Sequence, residues 1–308
     1  MSASPSSTLD ATAATSNALA LPARTRQVVS DYFELTKPKV QTLLLFTTVT
    51  TMEIAGNPPV SRIALTCLGG YLSAGGAGAV NHFIDRDIDA QMKRTASRPI
   101  PAGRIAPRSA LAFGLLLSAL SFLLLTTTVN LLAASLALAG FVGYVGVYTM
   151  WLKRRTPQNI VIGGAAGAMP PLVGWAATRG SLSWTAVYLF AIVFYWTPPH
   201  FWALSLLMKE EYAKVSVPMM PVVRGERETR RQILLYALLL YAISQLPFCA
   251  GGFGAFYLAA SMVLGLAFIG GAWRLYRRPD RRTALRLYLF SMAYLALLFG
   301  AMVADVKL

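Results

Sequence analysis

Apolar runs of about 20 residues recur from residue 40 to residue 304, and each is long enough to cross a bilayer as a helix. We place nine such spans, at 40–56, 62–84, 109–127, 131–150, 160–177, 184–206, 233–250, 254–273 and 286–304. Charged residues make up only 13% of the chain, against roughly 25% in a soluble domain. So few charges cannot cover the surface of a soluble protein this long, which excludes a soluble enzyme, a disulfide scaffold and a disordered chain. The runs are continuous rather than alternating, which excludes a β-barrel. The expected fold is all-α: a polytopic membrane protein with nine transmembrane helices over residues 28–308. Residues 1–27 are rich in Ser, Ala and Thr and read as a disordered tail. No basic start precedes an apolar core there, so the tail is not a secretory signal. With only Arg24 and Arg26, and with Asp10 intruding, a mitochondrial transit peptide fits poorly. Cys67 and Cys249 lie inside apolar runs with no metal or disulfide spacing.

The net charge of +15 has a position as well as a size. Of the 28 Lys and Arg residues, all but Arg62, Arg179 and Lys307 fall in the N-terminal segment or in 85–108, 151–159, 207–232 and 274–286. These segments share one side of a nine-span protein. The positive-inside rule makes that side cytosolic, with the C-terminus opposite, and suits a cell inner membrane. The charge then marks a membrane face in contact with anionic lipid, not a nucleic-acid partner. Two of these inner loops, 85–108 and 207–232, are long, which marks them as candidates for function.

The first loop opens on NHFIDRDID. Asn81, Asp85 and Asp89 are spaced by four, so on a helix they drift by only ~40° per step and share one face. Carboxylates at i and i+4 repel, and more so near lipid. One reading is a hard cation such as Mg2+, which takes one or two carboxylates plus waters and substrate phosphates. The other is a solvated helix end neutralised by Arg86 and Arg94, and spacing leaves both open. Downstream, Lys93, Arg94, Arg98 and Arg104 suit phosphate oxygens, or topology alone. Lys153, Arg154 and Arg155 occupy the next inner loop, and Asn159 opens the following span with a side chain able to donate or accept a hydrogen bond. GGAAGAMPPLVGW, 163–175, reads as close helix packing with a proline kink.

The second loop carries Glu210 and Glu211 between Lys209 and Tyr212. His200 lies roughly 15 Å further up that helix by rise, beside Trp196, Phe201 and Trp202. A histidine in an apolar span needs a partner. It is either a ligand for a flat macrocycle such as haem or a structural residue bonded to a neighbouring helix.

NHFIDRDIDAQMKRTASRP resembles the first aspartate motif of the UbiA-type intramembrane prenyltransferases. LKRRTPQNIVIGGAAGAMPPLVGW, PPHFWALSL and EEYAKVSVPMMPVVRG are similar to the branch of that family that farnesylates protohaem IX. The resemblance runs from about residue 30 to residue 304. It implies a UbiA-like bundle, Mg2+ as cofactor, and farnesyl diphosphate and haem B as substrates, with haem O and diphosphate as products. On it, Asn81, Asp85 and Asp89 hold the metal and Arg98 and Lys153 neutralise the leaving group. Arg94, Asn159, His200, Lys209, Glu211 and Tyr212 contact substrate, with His82 a second candidate for haem. The family's second DxxxD motif is replaced here by KEEY, so Tyr212 and Lys209 take over part of that role. Membrane lipid is an implied partner, and a haem A synthase or terminal oxidase assembly factor is implied by the family alone. The alternative within the family is an aromatic acid or quinone precursor as acceptor. An alternative outside it is a transporter, since intramembrane acids also mark ion pathways. Against that, the acids cluster at one face and no charge crosses the span centres.

Overall fold

The computed structural model describes residues 25–308. The expected tail lies outside the described residues up to 24, whereas 25–27 already belong to a helix, α1 (25–35). Its Asp31 is buried and accepts from Arg104 Nε on both oxygens, at 3.0 and 3.1 Å. That pair ties α1 to the loop 85–108.

Among the described residues, seven helical segments are long and apolar enough to cross a bilayer. They are α3 (Val60–Ile84), α5 (Pro107–Thr128), α6 (Leu131–Val142) with the π-helix that continues it (Gly143–Leu152), α7 (Asn159–Gly167) with α8 (Met169–Arg179), α12 (Gly225–Cys249), α13 (Ala255–Arg277) and α14 (Arg281–Lys307). The chain is a multi-pass membrane protein. Two of the nine expected spans fall outside this set, although both are helical: α2 (Pro38–Ala55) and α9 (Trp184–Leu207). Their composition is the reason. α2 carries a run of threonines, and α9 carries Pro198, Pro199, His200 and several indoles.

α2 buries its run of threonines, and α9 buries Pro198, Pro199, Trp196 and Trp202. Thr47 and Thr48 on α2 donate to Leu44 O at 2.9 and 3.0 Å, and Thr50 donates to Phe46 O at 2.8 Å. Such back-bonding removes the hydroxyls' need for water, so a polar-looking helix fits a dry interior. Helices adjacent in sequence pack side by side, and α14 closes the circuit against α2 and α9. α3 and α5 cross so closely that a Cβ at Gly76 would lie 2.6 Å from Gly114 O. Only a bare backbone permits that approach. α7 gives way to α8 at Ala168, just ahead of Pro170 and Pro171, where the sequence predicts a kink.

The two long loops contain short helices: α4 (Arg86–Gln91) in 85–108, α10 (Lys209–Lys214) and α11 (Met220–Val223) in 207–232. Their apolar residues join one core, in which Ile88 and Met92 belong with Tyr212, Val217 and Met219. The two loops therefore form a single cap over one end of the bundle.

Candidate active site

Asn81 lies in the last turn of α3, Asp85 joins α3 to α4, and Asp89 sits in α4. The helix axis changes at Asp85, yet the i to i−4 backbone bonds run on. Asp85 N–H reaches Asn81 O at 2.9 Å and Asp89 N–H reaches Asp85 O at 2.8 Å. The three side chains thus keep the common face that their spacing predicts. Asn81, Asp85 and Asp89 are 4%, 1% and 4% exposed, which rules out a solvated helix end.

Their counter-charges come from elsewhere than the neighbouring Arg86 and Arg94. Arg86 donates to Phe83 O at 2.6 Å and lies over the Phe83 ring. Arg94 is exposed and pairs with no carboxylate among the described residues. Instead Lys153 donates to Asp85 Oδ2 in a short charge-assisted bond. Arg98 donates to Asp89 Oδ2 at 2.7 Å, and Lys37, between α1 and α2, donates to Asn81 Oδ1 at 2.5 Å. Asn81 Nδ2 donates to Asp85 Oδ2 at 2.6 Å and to Thr149 Oγ1 at 3.2 Å. Three cations from three separate segments close on one acidic face. Arg98 is placed there because Ile100 and Ile105 of its loop are buried with Leu35 and Ala79. The loop turns at Gly103, whose φ of 71° favours glycine.

The π-helix brings in the remaining groups. Its wider turn stacks residues four and five apart, so Tyr144, Tyr148, Thr149 and Lys153 line one face. Thr149 Oγ1 donates to Tyr144 O at 2.8 Å, and Lys153 N–H reaches Tyr148 O at 2.8 Å. Lys37 Nζ also donates to Tyr144 OH at 3.3 Å. On α7, Gly163 gives the Tyr148 ring its seat, since a Cβ there would lie 2.5 Å from Cδ2. Lys37, Tyr144, Tyr148 and Thr149 are absent from the sequence-based set. The only signal for Lys37 was a lysine beside Pro38 at the mouth of a span.

Burial lowers the Lys37 amine to about 7, helped by the nearby charges of Arg98 and Lys153. An arriving anion would favour its protonated form. Asp87 points the other way, to the surface, where Arg154 grips both oxygens at 2.7 Å and holds the carboxyl down at about 2.

Of the second loop's residues, Tyr212 is buried, and burial raises its phenol while Arg94 and Arg98 oppose the rise. Tyr212 shares the buried core with Ile88 and Met92 of the first loop. Glu211 is partly buried with Oε2 unpartnered. Lys209 turns away to Glu226 at 3.1 Å, and Glu210 is exposed. Asn159 is buried, donates to Thr156 O at 2.6 Å and leaves its Oδ1 without a partner. His82 is buried with neither ring nitrogen bonded.

His200 stacks between Trp196 and Tyr288, with centroids at 4.3 and 4.9 Å. Its Nδ1 lies 2.6 Å from Ser291 Oγ. Ser291 spends its own hydrogen on Tyr288 O at 2.5 Å, so Nδ1–H is the donor and Nε2 carries the free lone pair.

Among the described residues no three His, Cys, Asp or Glu side chains gather as a metal cage. Two carboxylates and an amide do gather, and Asp85 Oδ1 is buried without a hydrogen bond. A hard cation that keeps waters and phosphate oxygens needs no more than that. Beside the cluster, α2, α3, the α6–π segment and α7–α8 line an apolar cavity of about 200 Å³, with Lys37 and Tyr144 among its lining residues.

The same arrangement of helices recurs in known proteins. A digeranylgeranylglyceryl phosphate synthase superposes with a TM-score of 0.76 at 20% identity, over 92% of this chain and 100% of that one. A UbiA homolog from Archaeoglobus fulgidus bound to GPP and Mg2+ gives 0.61 at 14% identity, over 88% and 99%. In sequence, the chain is 55% identical to the protoheme IX farnesyltransferase of Chloroflexus aurantiacus over 91% of its own length and 48% of that protein. It is 54% identical to the one from Symbiobacterium thermophilum, over 91% and 95%. The chain spans about half the length of the Chloroflexus and Thermus relatives. The profile of the UbiA prenyltransferase family matches residues 43–298, and with a relative more than half identical along nearly its whole length, the chain belongs to that family.

Proposed function

We propose that the protein transfers the farnesyl group of farnesyl diphosphate to the 2-vinyl group of protohaem IX, with addition of water, to give haem O and diphosphate. The observation that carries this reading is the buried Asn81–Asp85–Asp89 face, closed by Lys37, Arg98 and Lys153, with Lys37 also lining an apolar cavity. It occurs in a chain more than half identical to relatives named protoheme IX farnesyltransferase.

Mg2+, held by Asn81, Asp85 and Asp89, would supply charge neutralisation to the diphosphate. The chain's own residues do the rest. Lys153 and Arg98 already point into the cluster and meet the phosphate oxygens as the C1–O bond of the donor breaks. Their charge is in place before it develops on the leaving group, so little reorganisation is needed. Arg94 and Tyr212 approach from the cap, with Glu211 and Asn159 offering unpartnered oxygens; Lys209, engaged with Glu226, is the member of the expected set turned elsewhere. The bond's electron pair leaves with diphosphate, and the allylic cation is attacked by the vinyl π bond. Water then adds to the new cation beside the macrocycle, and its proton leaves with the diphosphate. Burial keeps water from the first cation. His200 is the contact we assign to haem, because its Nε2 lone pair is unspent and its ring is fixed between two aromatic neighbours. The basic loops face the cytosol of an inner membrane, and the product passes to a haem A-forming enzyme or a terminal oxidase.

The test is a product assay with protein in lipid nanodiscs, given farnesyl diphosphate with haem B or with 4-hydroxybenzoate. The expected product is haem O, lost on adding EDTA and restored by Mg2+. Prenylated hydroxybenzoate with untouched haem, or full activity in chelator, would contradict the reading.

A further inference from the structure

We infer that Thr149 is a positioning residue for the cation site: it acts through Asn81, fixing that amide so that its oxygen, and not its nitrogen, is offered to the metal. This role rests on the Mg2+ reading above and extends it to a side chain outside the proposed ligand set.

A threonine hydroxyl has one hydrogen to give and lone pairs with which to receive. Thr149 gives its hydrogen to Tyr144 O at 2.8 Å, five residues back along the π-helix. Its oxygen is then left as an acceptor, and Asn81 Nδ2 donates to it at 3.2 Å. A reversed amide would set oxygen against oxygen at this contact. Thr149 is 0% exposed, so bulk water cannot resolve that conflict. The π register thus fixes the hydroxyl, and the hydroxyl fixes the amide of another helix.

Asn81 has two further partners, and both are charged. Lys37 donates to Oδ1 at 2.5 Å, and Nδ2 donates to Asp85 Oδ2 at 2.6 Å. The Lys37 ammonium shows that Oδ1 is already presented to a cation. Neither contact is independent of a metal: Asp85 is itself a proposed ligand, and a divalent cation repels the ammonium. Thr149 is the uncharged partner, so its hold on Asn81 persists whether or not the site is filled. Outer partners of this kind orient metal ligands, and losing one typically costs ~10–100-fold in metal affinity.

The test measures Mn2+ affinity by electron paramagnetic resonance on protein in nanodiscs with farnesyl thiodiphosphate and no haem. Thr149→Val keeps the shape, removes the acceptor and should weaken Mn2+ about tenfold or more. Thr149→Ser restores the hydroxyl and should return the affinity to within a few-fold of wild type. Asn81→Ala leaves Asp85 and Asp89 to hold the ion more weakly. In that background Thr149→Val should add no further loss, because its effect runs through the amide. Wild-type Mn2+ affinity in folded Thr149→Val would overturn this role. So would an equal further loss in the Asn81→Ala background, which would confine Thr149 to the π turn. If Thr149→Val does not fold, Thr149→Cys, whose sulfur is a weak acceptor, carries the same expectation. No Mn2+ bound by the wild type would overturn the metal reading itself, and this role with it.

Discussion

Asp85→Ala and Asp89→Ala should each lower farnesyl transfer by about 10²–10³-fold or more, the loss seen when one preorganised charged or polar group is taken from a reacting centre. Asp85 is 1% exposed and meets Asn81, Lys153 and, at 3.7 Å, Arg154. Among the described residues, Asp89 is the sole carboxylate bonded to Arg98. Removing either takes a negative charge from a face built to hold a cation and leaves a half-buried amine or guanidinium without that partner. Asp87 lies between them in sequence and is the natural control. It is 57% exposed in its pairing with Arg154, and an exposed ion pair contributes little. Asp87→Ala should leave the rate within a few-fold of wild type. Initial rates of haem O formation check all three; equal losses at Asp85, Asp87 and Asp89 would mean that charge alone, and not the common buried face, matters.

Lys153→Met should give the second large loss, about 10²-fold or more in kcat, with a smaller change in donor KM. Lys153 enters the site at the end of the π-helix and reaches Asp85 from below the cap. Its charge is most useful when diphosphate carries the electron pair of the broken bond, so removal weighs on the transition state more than on binding. Lys153→Arg should recover only part of the rate, because a planar fork does not reproduce a point charge in the same space. A variant that raises KM and spares kcat would make Lys153 a binding residue only.

Much of this arrangement is legible in the sequence, for physical reasons. Apolar run length marks the helices, seven of which are long and apolar enough to cross a bilayer among the described residues. Spacing by four suffices to put Asn81, Asp85 and Asp89 on one face, and the fold keeps that face through the break at Asp85. What spacing could not supply was the identity of the counter-ions. Arg86 and Arg94 are nearest in sequence, yet Lys37, Arg98 and Lys153 arrive through tertiary packing. Tyr144 lies outside the sequence-based set because a 3.6-residue period puts it on the face opposite Lys153, nine residues on; the π register brings it round to Thr149 and Lys153. α2 and α9 are helical where spans were expected, but their composition keeps them below the hydropathy of the other seven, while Thr47, Thr48 and His200 find partners inside the protein.

At the centre of the proposed chemistry, a divalent cation and a diphosphate meet on the Asn81–Asp85–Asp89 face. Crystals grown with Mn2+ and farnesyl thiodiphosphate test this by anomalous scattering. The expected result is a manganese peak within coordination distance of Asp85 and Asp89, with phosphorus between it and Lys153. A metal and diphosphate bound elsewhere, or this face filled only by its own lysines and arginine, would contradict it.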